Sequence, residues 1–378
     1  MLALTPPELI ELLLTLPADR TPFIWGPPGI GKSALVREAA ELLDLPCVTL
    51  LGTQIAPEDL IGVPRIRSVE AAPSAEGKRG PSFVTEFCPP RAILRAEPFL
   101  LFIDELNSAV PDVQKAFYSL ILDRRLGDYV LPPGSRVVGA GNRVEDRALV
   151  RPMATALANR MVHVSVEVDA EAWLSWGAET GVHALVLAFL RARPDRLFEL
   201  PPADATPAYP TPRAWHMLSD ALFTVGERLW PAVAAGCVGD RAGAEWTAFA
   251  RRALDAPSLD ALAAGTAAVP RDPELIYFLG ASCLARLSSN DPKDGELAAK
   301  VLVILGAASR EVAVWAVDAA LARKLKTGAL TAFEEHLRKT GAQILVDVLR
   351  LGRFAREASR DSAKESARAS SAAGSAAR

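Results

Sequence analysis

Three glycines, a lysine and a serine are packed into Gly26-Pro27-Pro28-Gly29-Ile30-Gly31-Lys32-Ser33. Every fixed position of the phosphate-loop pattern G-x-x-x-x-G-K-[ST] is filled. The chemistry follows from the residue types. Glycines let the backbone curl without a Cβ clash, so successive N–H groups point inward at phosphate oxygens. Lys32 can reach the β- and γ-phosphates of ATP, and the Ser33 hydroxyl can ligate Mg²⁺. Ala34 follows in the first turn of a helix, where unpaired N–H groups and the helix dipole favour an anion.

A second group completes a hydrolysis site. Asp104 and Glu105 close the apolar run Phe99-Leu100-Leu101-Phe102-Ile103. Asp104 would hold Mg²⁺ together with Ser33, and Glu105 would orient and polarise the attacking water. Neighbouring residues of a strand point to opposite faces. The two carboxylates should therefore carry different roles rather than form an acid/base dyad. Asn142 ends the apolar stretch Ser135–Gly141, where its amide can position the same water. Arg160, between a short helix and a strand, is a candidate to reach the γ-phosphate held by a neighbouring subunit. Arg143, Arg147 and Arg151 are its rivals. In Thr211-Pro212-Arg213, Arg213 opens a helix and could fold back onto the phosphates from a second domain.

The elements that must position these groups read as alternating strands and helices. Pro6–Leu16 predicts a helix. Pro22–Trp25 predicts the strand before the phosphate loop, and Ala34–Leu43 the helix after it. Pro46–Leu51 is a second strand, and Pro57–Gly62 a helical turn closed by glycine. Arg65–Gly80 is polar and rich in small residues and reads as a mobile loop. Ser82–Phe87 reads as a hairpin strand and Pro90–Glu97 as a short helix. Pro98–Glu105 is a strand buried on both faces. Pro111–Arg124 is a helix, Arg125–Gly134 a hairpin, Ser135–Asn142 a strand, Pro152–Ala158 a short helix and Met161–Val168 a strand. This alternation means a parallel sheet covered by helices on both faces, with ligands at the strands' C-terminal ends.

After Asp169 the texture is helical. Residues 1–168 form the nucleotide-binding core, 169–290 a helical lid and 291–352 a helical extension. Pro201–Pro212 reads as an ordered crossing loop. Residues 353–378 are Ala, Ser, Arg and Glu without apolar anchors and read as a disordered tail.

The whole chain excludes several classes. It has 378 residues, half of them apolar, and a net charge of −3. That charge argues against a protein built mainly to coat nucleic acid. The scattered cysteines Cys47, Cys88, Cys237 and Cys283 form no C-x-x-C pair, and they read as reduced thiols of a cytoplasmic protein. No signal peptide and no membrane-length apolar run are expected. The four histidines form no ligand pair, so bland roles are expected for them.

Taken in order and spacing, Gly26–Ser33, Phe99–Glu105, Val137–Asn142, Asn159-Arg160 and Thr211-Pro212-Arg213 resemble the MoxR-type branch of AAA+ ATPases. The resemblance covers about residues 5 to 220. Trp173-Leu174-Ser175-Trp176-Gly177 with Gly181 also looks like a stretch seen in that branch. The resemblance implies an αβα core with a five-stranded parallel sheet, a helical lid and a ring, usually a homo-hexamer. Lys32 and Ser33 would then be Walker A, Asp104 and Glu105 Walker B, Asn142 sensor 1, Arg160 the arginine finger and Arg213 sensor 2. Arg65–Gly80 with Ser82–Thr85 would be a loop insertion facing the pore, and Arg125–Pro133 the hairpin before sensor 1. The branch often works with a partner carrying a von Willebrand factor A domain, as a chaperone. A restriction-type nucleic-acid motor, a small-molecule kinase and a nucleotide-gated scaffold are the alternatives.

Overall fold

The structure is a computed structural model that describes residues 2–70, 81–88, 91–146, 153–200, 208–322 and 327–340. The chain divides into two compact units, one ending at Glu167 and the other beginning at Val168.

The first unit runs β1 (Ala3–Leu4), α1 (Pro6–Thr15), β2 (Pro22–Trp25), α2 (Lys32–Leu42), β3 (Cys47–Leu51), α3 (Pro57–Ile61), β4 (Val63–Glu70), β5 (Pro81–Cys88), β6 (Leu100–Asp104), α4 (Pro111–Asp123), β7 (Arg125–Leu126), β8 (Tyr129–Val130), β9 (Arg136–Gly141), α5 (Thr155–Ala158) and β10 (Val162–Val166). Six strands make one sheet in the order β1-β10-β2-β9-β6-β3, and all its pairings are parallel. Strand alternation divides the core. Leu100 and Phe102 join Ile24 and Val138, with Leu9 of α1 and Val36 of α2. Leu101 and Ile103 join Phe23 and Val137, with Val113 and Phe117 of α4. Burial on both faces is why β6 reads as an unbroken apolar run. The loops that follow β2, β9 and β6 lie side by side at the C-terminal edge, where open α/β sheets bind ligands.

Three expectations are corrected. The sheet has six strands rather than five, because Ala3 and Leu4 pair with Ser165 and Val166 at its edge. Two residues are too short to leave a periodic signal. Val63–Glu70 is a strand, so the first part of the expected loop is ordered. It pairs antiparallel with β5, Arg65 facing Glu86 and Ile66 facing Thr85. Backbone hydrogen bonds hold this ribbon, and Ile66 and Phe83 are exposed. The described side chains of β4, Val63 to Ser68, are all exposed, so no buried face imposes a polar/apolar alternation on them. Residues 71–80 lie outside the described residues. Residues 91–93 make only a turn where a short helix was expected, and the turn buries Ile93. The Arg125–Gly134 hairpin is present as β7 and β8.

The second unit runs α6 (Ala170–Thr180), α7 (Ala184–Ala192), α8 (Pro212–Leu222), α9 (Trp230–Val238), α10 (Asp240–Leu254), α11 (Leu259–Ala263), α12 (Pro273–Arg286), α13 (Pro292–Ala308), α14 (Arg310–Ala322) and α15 (Gly328–Lys339). Among its described residues there is no strand. Leu185, Trp246, Leu284, Leu302, Val312 and Phe333 belong to one buried core. That core runs through segments assigned from the sequence to a lid and to an extension. Arg191 pins three helices together, binding Glu171 of α6 and, at 3.0 Å, Glu311 of α14. No described helix is long and apolar enough to cross a membrane. Most of the expected crossing loop, residues 201–207, and the tail at 353–378 lie outside the described residues. Cys47, Cys237 and Cys283 are free thiols.

Candidate nucleotide site

The phosphate loop leaves β2 after Trp25 and enters α2 at Lys32. Gly29 and Gly31 have φ of 81° and 101°, where an L side chain would strain the backbone. Gly31 is the N-cap of α2, so the first turn of that helix opens on the loop. A helix N-terminus and a glycine-rich turn together form an anion cradle. Gly26, Pro27, Pro28, Ile30 and Ala34 complete this segment.

Lys32 is only 7% exposed. Its ammonium donates to Gly26 O at 2.6 Å, Pro27 O at 2.9 Å and Asn142 Oδ1 at 2.8 Å. Burial of an ammonium is tolerated because oxygens surround it. Those oxygens also aim it: the lysine is held at the mouth of the loop rather than extended into solvent. Ser33 Oγ donates to Asp104 Oδ2 at 2.8 Å. These two oxygen donors suit Mg²⁺, which keeps several waters and takes few protein ligands.

Glu105 departs from the expectation. The strand ends at Asp104, and Glu105 has φ of 53° in the left-handed region. The two carboxylates thus diverge through a backbone reversal, not through strand alternation. Glu105 N–H donates to Asp104 Oδ1 at 3.0 Å, and Thr53 Oγ1 donates to Glu105 Oε2 at 2.7 Å. Thr53, in the turn after β3, was not anticipated from the sequence. Nothing in a lone threonine beside a glycine distinguishes it.

Asn142 follows β9 immediately. Its side-chain oxygen accepts a hydrogen bond from the Lys32 ammonium, and its main-chain oxygen accepts from Asn107 Nδ2 at 2.9 Å. Asn107 is 1% exposed, and its Oδ1 has no partner. Room for it exists because residue 141 is glycine; a Cβ there would lie 2.0 Å from Asn107 Oδ1. Asn107 was also missed. The available signal was an asparagine two positions beyond the carboxylate pair.

Residues 22–161 match the AAA domain of the dynein-related subfamily. The matched segment, similar to that ATPase domain, spans the phosphate loop, Asp104, Glu105, Asn142 and Arg160. No curated protein sequence matches the chain. Among solved structures, a proposed ATPase from Cytophaga hutchinsonii is 22% identical with a TM-score of 0.33, the match covering 46% of this chain and 50% of that one. The NtrX protein of Brucella abortus bound to ADP is 18% identical with a TM-score of 0.32, covering 66% and 67%. The RuvB Holliday junction branch migration motor of Thermotoga maritima is 17% identical with a TM-score of 0.35, covering 68% and 81%. The chain spans about half the length of the first of these.

The arginines separate by their surroundings. Arg143 is tied down: its amide donates to Asp146 at 2.7 Å, and its guanidinium bonds Glu145 and Ser165. Arg147 and Arg151 lie outside the described residues. Arg160 is exposed. Its Nη1 donates to Ala156 O at 2.8 Å, and its guanidinium sits 5.3 Å from the centre of the Tyr118 ring. Arg160 precedes β10, whose first residue Val162 pairs with Pro22, the first residue of β2. The phosphate loop leaves β2 at the other end. Arg213 belongs to the second unit, where it is exposed in the first turn of α8, and Thr211 caps that helix by accepting from Ala214 N.

His163, close to Arg160 in the chain, has the structural role expected of it. Its Nδ1 accepts from Trp25 Nε1 at 2.9 Å, so its Nε2 carries the proton given to Ala158 O at 2.7 Å. The imidazole thus bridges β2 and α5.

Proposed function

We propose that the protein is a cytoplasmic, MoxR-like ring ATPase that spends ATP hydrolysis on remodelling a partner protein. The observation that carries the hydrolytic part is the convergence of Lys32, Ser33, Asp104, Glu105 and Asn142 at one sheet edge. Lys32 and the loop N–H groups bind the phosphates. Ser33 and Asp104 would hold Mg²⁺, which would supply positive charge against the phosphate oxygens. Glu105 takes the proton of the attacking water, and Asn142 orients that water.

Sheet direction supports a role for Arg160 in a neighbouring subunit. A strand of four residues is about 10 Å long, which places Arg160 at the end of the sheet opposite to its own phosphate loop. An exposed guanidinium there suits the γ-phosphate of another copy. A homo-hexameric ring is the assembly this reading implies. The proposed Arg213 role as a phosphate sensor rests on its motif. A partner with a von Willebrand factor A domain is the proposal that follows from the MoxR resemblance. The exposed β4–β5 ribbon, with Ile66 and Phe83 uncovered, suits contact with a protein substrate.

The deciding experiment removes the only cation inside the loop. Lys32→Ala should lower affinity for a fluorescent ATP analogue by about tenfold or more, the loss of a charge-assisted contact. Affinity within twofold of wild type would remove the phosphate-loop reading.

A further inference from the structure

α4 carries a polar side chain on its buried stripe. Gln114 precedes Phe117 and Ile121 at spacings of three and seven, and all three are buried, Gln114 at 3% exposure. An amide in that position must be satisfied on both ends. Its Nε2 donates to Ala109 O at 3.1 Å and contacts Asn107 O at 3.5 Å. Its Oε1 accepts from Ala154 N at 3.2 Å. Ala154 is the N-cap of α5, the short helix that leads to Arg160. One turn further along α4, Tyr118 lies under the Arg160 guanidinium.

Three amides thus form a continuous hydrogen-bonded path, of which Asn107 and Gln114 are buried. Lys32 Nζ bonds the Asn142 side chain. Asn107 bonds the Asn142 main chain. Gln114 touches the Asn107 carbonyl and holds the start of α5. We propose that Asn107 and Gln114 are positioning residues that couple the phosphate-loop lysine to the segment bearing Arg160. The proposal rests on the nucleotide-site reading above. A phosphate oxygen competes with Asn142 Oδ1 for the Lys32 ammonium. Asn142 is then re-aimed, and the Asn107 bond to its main chain carries that shift to the α4 N-terminus. The Gln114 bond to Ala154 passes it to α5. Because Asn107 Oδ1 has no partner, only Nδ2 anchors this side-chain amide, and it can follow Asn142 with one hydrogen bond to keep. Direction of coupling is reciprocal: Arg160 engaged by another subunit must alter phosphate affinity by the same factor.

The test compares wild type, Gln114→Met and Asn107→Leu. Both replacements keep side-chain volume close to the original and delete the hydrogen bonds. Each protein is assayed for binding of a fluorescent ATP analogue, for steady-state turnover, and for amide exchange over residues 153–161 with and without a non-hydrolysable ATP analogue and Mg²⁺. In wild type, exchange over 153–161 should change by about tenfold on nucleotide addition, since Ala154 N–H is itself a link in the path. In both variants that response should vanish, with nucleotide affinity kept within about twofold and kcat reduced about tenfold at unchanged KM. A merely structural role would lower Tm and leave the nucleotide response in place, and that result overturns the proposal. So does a nucleotide-saturated wild type whose exchange over 153–161 stays constant. Failure of wild type to bind the analogue at all is a different outcome: it overturns the site reading and with it the input to the relay. Should one variant fail to fold, the other still decides.

Discussion

Replacing Glu105 by glutamine isolates the hydrolytic step. The structure sets the size of each effect. Glu105 sits at φ 53°, a left-handed conformation that costs a non-glycine residue about 1–2 kcal/mol. Glutamine occupies it at the same cost, so the backbone term cancels. The amide oxygen can still accept from Thr53 Oγ1, which donates to Glu105 at 2.7 Å. What changes there is a hydrogen bond to a charged acceptor becoming one to a neutral acceptor, a loss of about 1 kcal/mol at most. For a unit of this size that lowers Tm by no more than about 4 °C. Asp104, Ser33 and Lys32 are untouched, so ATP affinity should stay within a few-fold. Turnover should behave differently, because glutamine cannot accept the proton of the attacking water. General-base catalysis contributes about 10²–10⁴-fold, equivalent to about 3–5 kcal/mol of barrier. The barrier effect exceeds the stability effect several-fold, so the two are separable in one experiment.

The assay is steady-state phosphate release at saturating ATP and Mg²⁺, alongside equilibrium binding and a thermal melt. Turnover down by two to four orders of magnitude, with binding and Tm held, is the expected result. Wild-type turnover in Glu105→Gln would refute the assignment of Glu105 as the base. A Tm drop well beyond about 4 °C would refute the argument that the left-handed turn tolerates both residues equally.

Two further outcomes are expected. Arg160→Ala should keep ATP binding and lose about 10³-fold or more in turnover, while wild-type activity per subunit rises with protein concentration; full turnover by a monomer would exclude a role in a neighbouring subunit. Gly141→Ala places a Cβ 2.0 Å from Asn107 Oδ1 and 2.8 Å from Phe23 Cζ. Overpacking of that kind costs about 1–3 kcal/mol, so the melt should fall by roughly 2–12 °C, and an unchanged Tm would show that the Asn107 pocket is looser than drawn.

Most of the sheet and much of the candidate site were legible in the sequence for two physical reasons. A strand buried on both faces writes itself as an apolar run, as Phe99–Ile103 does. A phosphate loop needs glycine where φ is positive, as at Gly29 and Gly31, so its pattern is written in residue types. What was illegible depends on quantities that residue types do not record. Glu105 reads as a strand residue until its φ is known. β4, unlike β5, reads as a loop because its described side chains, Val63 to Ser68, are all exposed, and no buried face imposes alternation on them. β1 is too short for any period. Thr53 acts through a contact between segments far apart in the chain, which no local window contains.

Gln114 falls between these cases, and it shows what a sequence can still reveal when it is read against its own pattern. The stripe Val113, Phe117, Leu120 and Ile121 predicts a buried face, and Gln114 lies on the same face as Phe117 and Ile121. A buried amide left unsatisfied costs about 1–3 kcal/mol, whereas methionine would fill the space without that liability. An amide at such a position therefore implies partners on both its ends. The structure supplies them in Ala109 O and Ala154 N, one before α4 and one at the start of α5. Fixing two loops to one helix is something an apolar side chain cannot do, and those two loops lead to Asn107 on one side and Arg160 on the other.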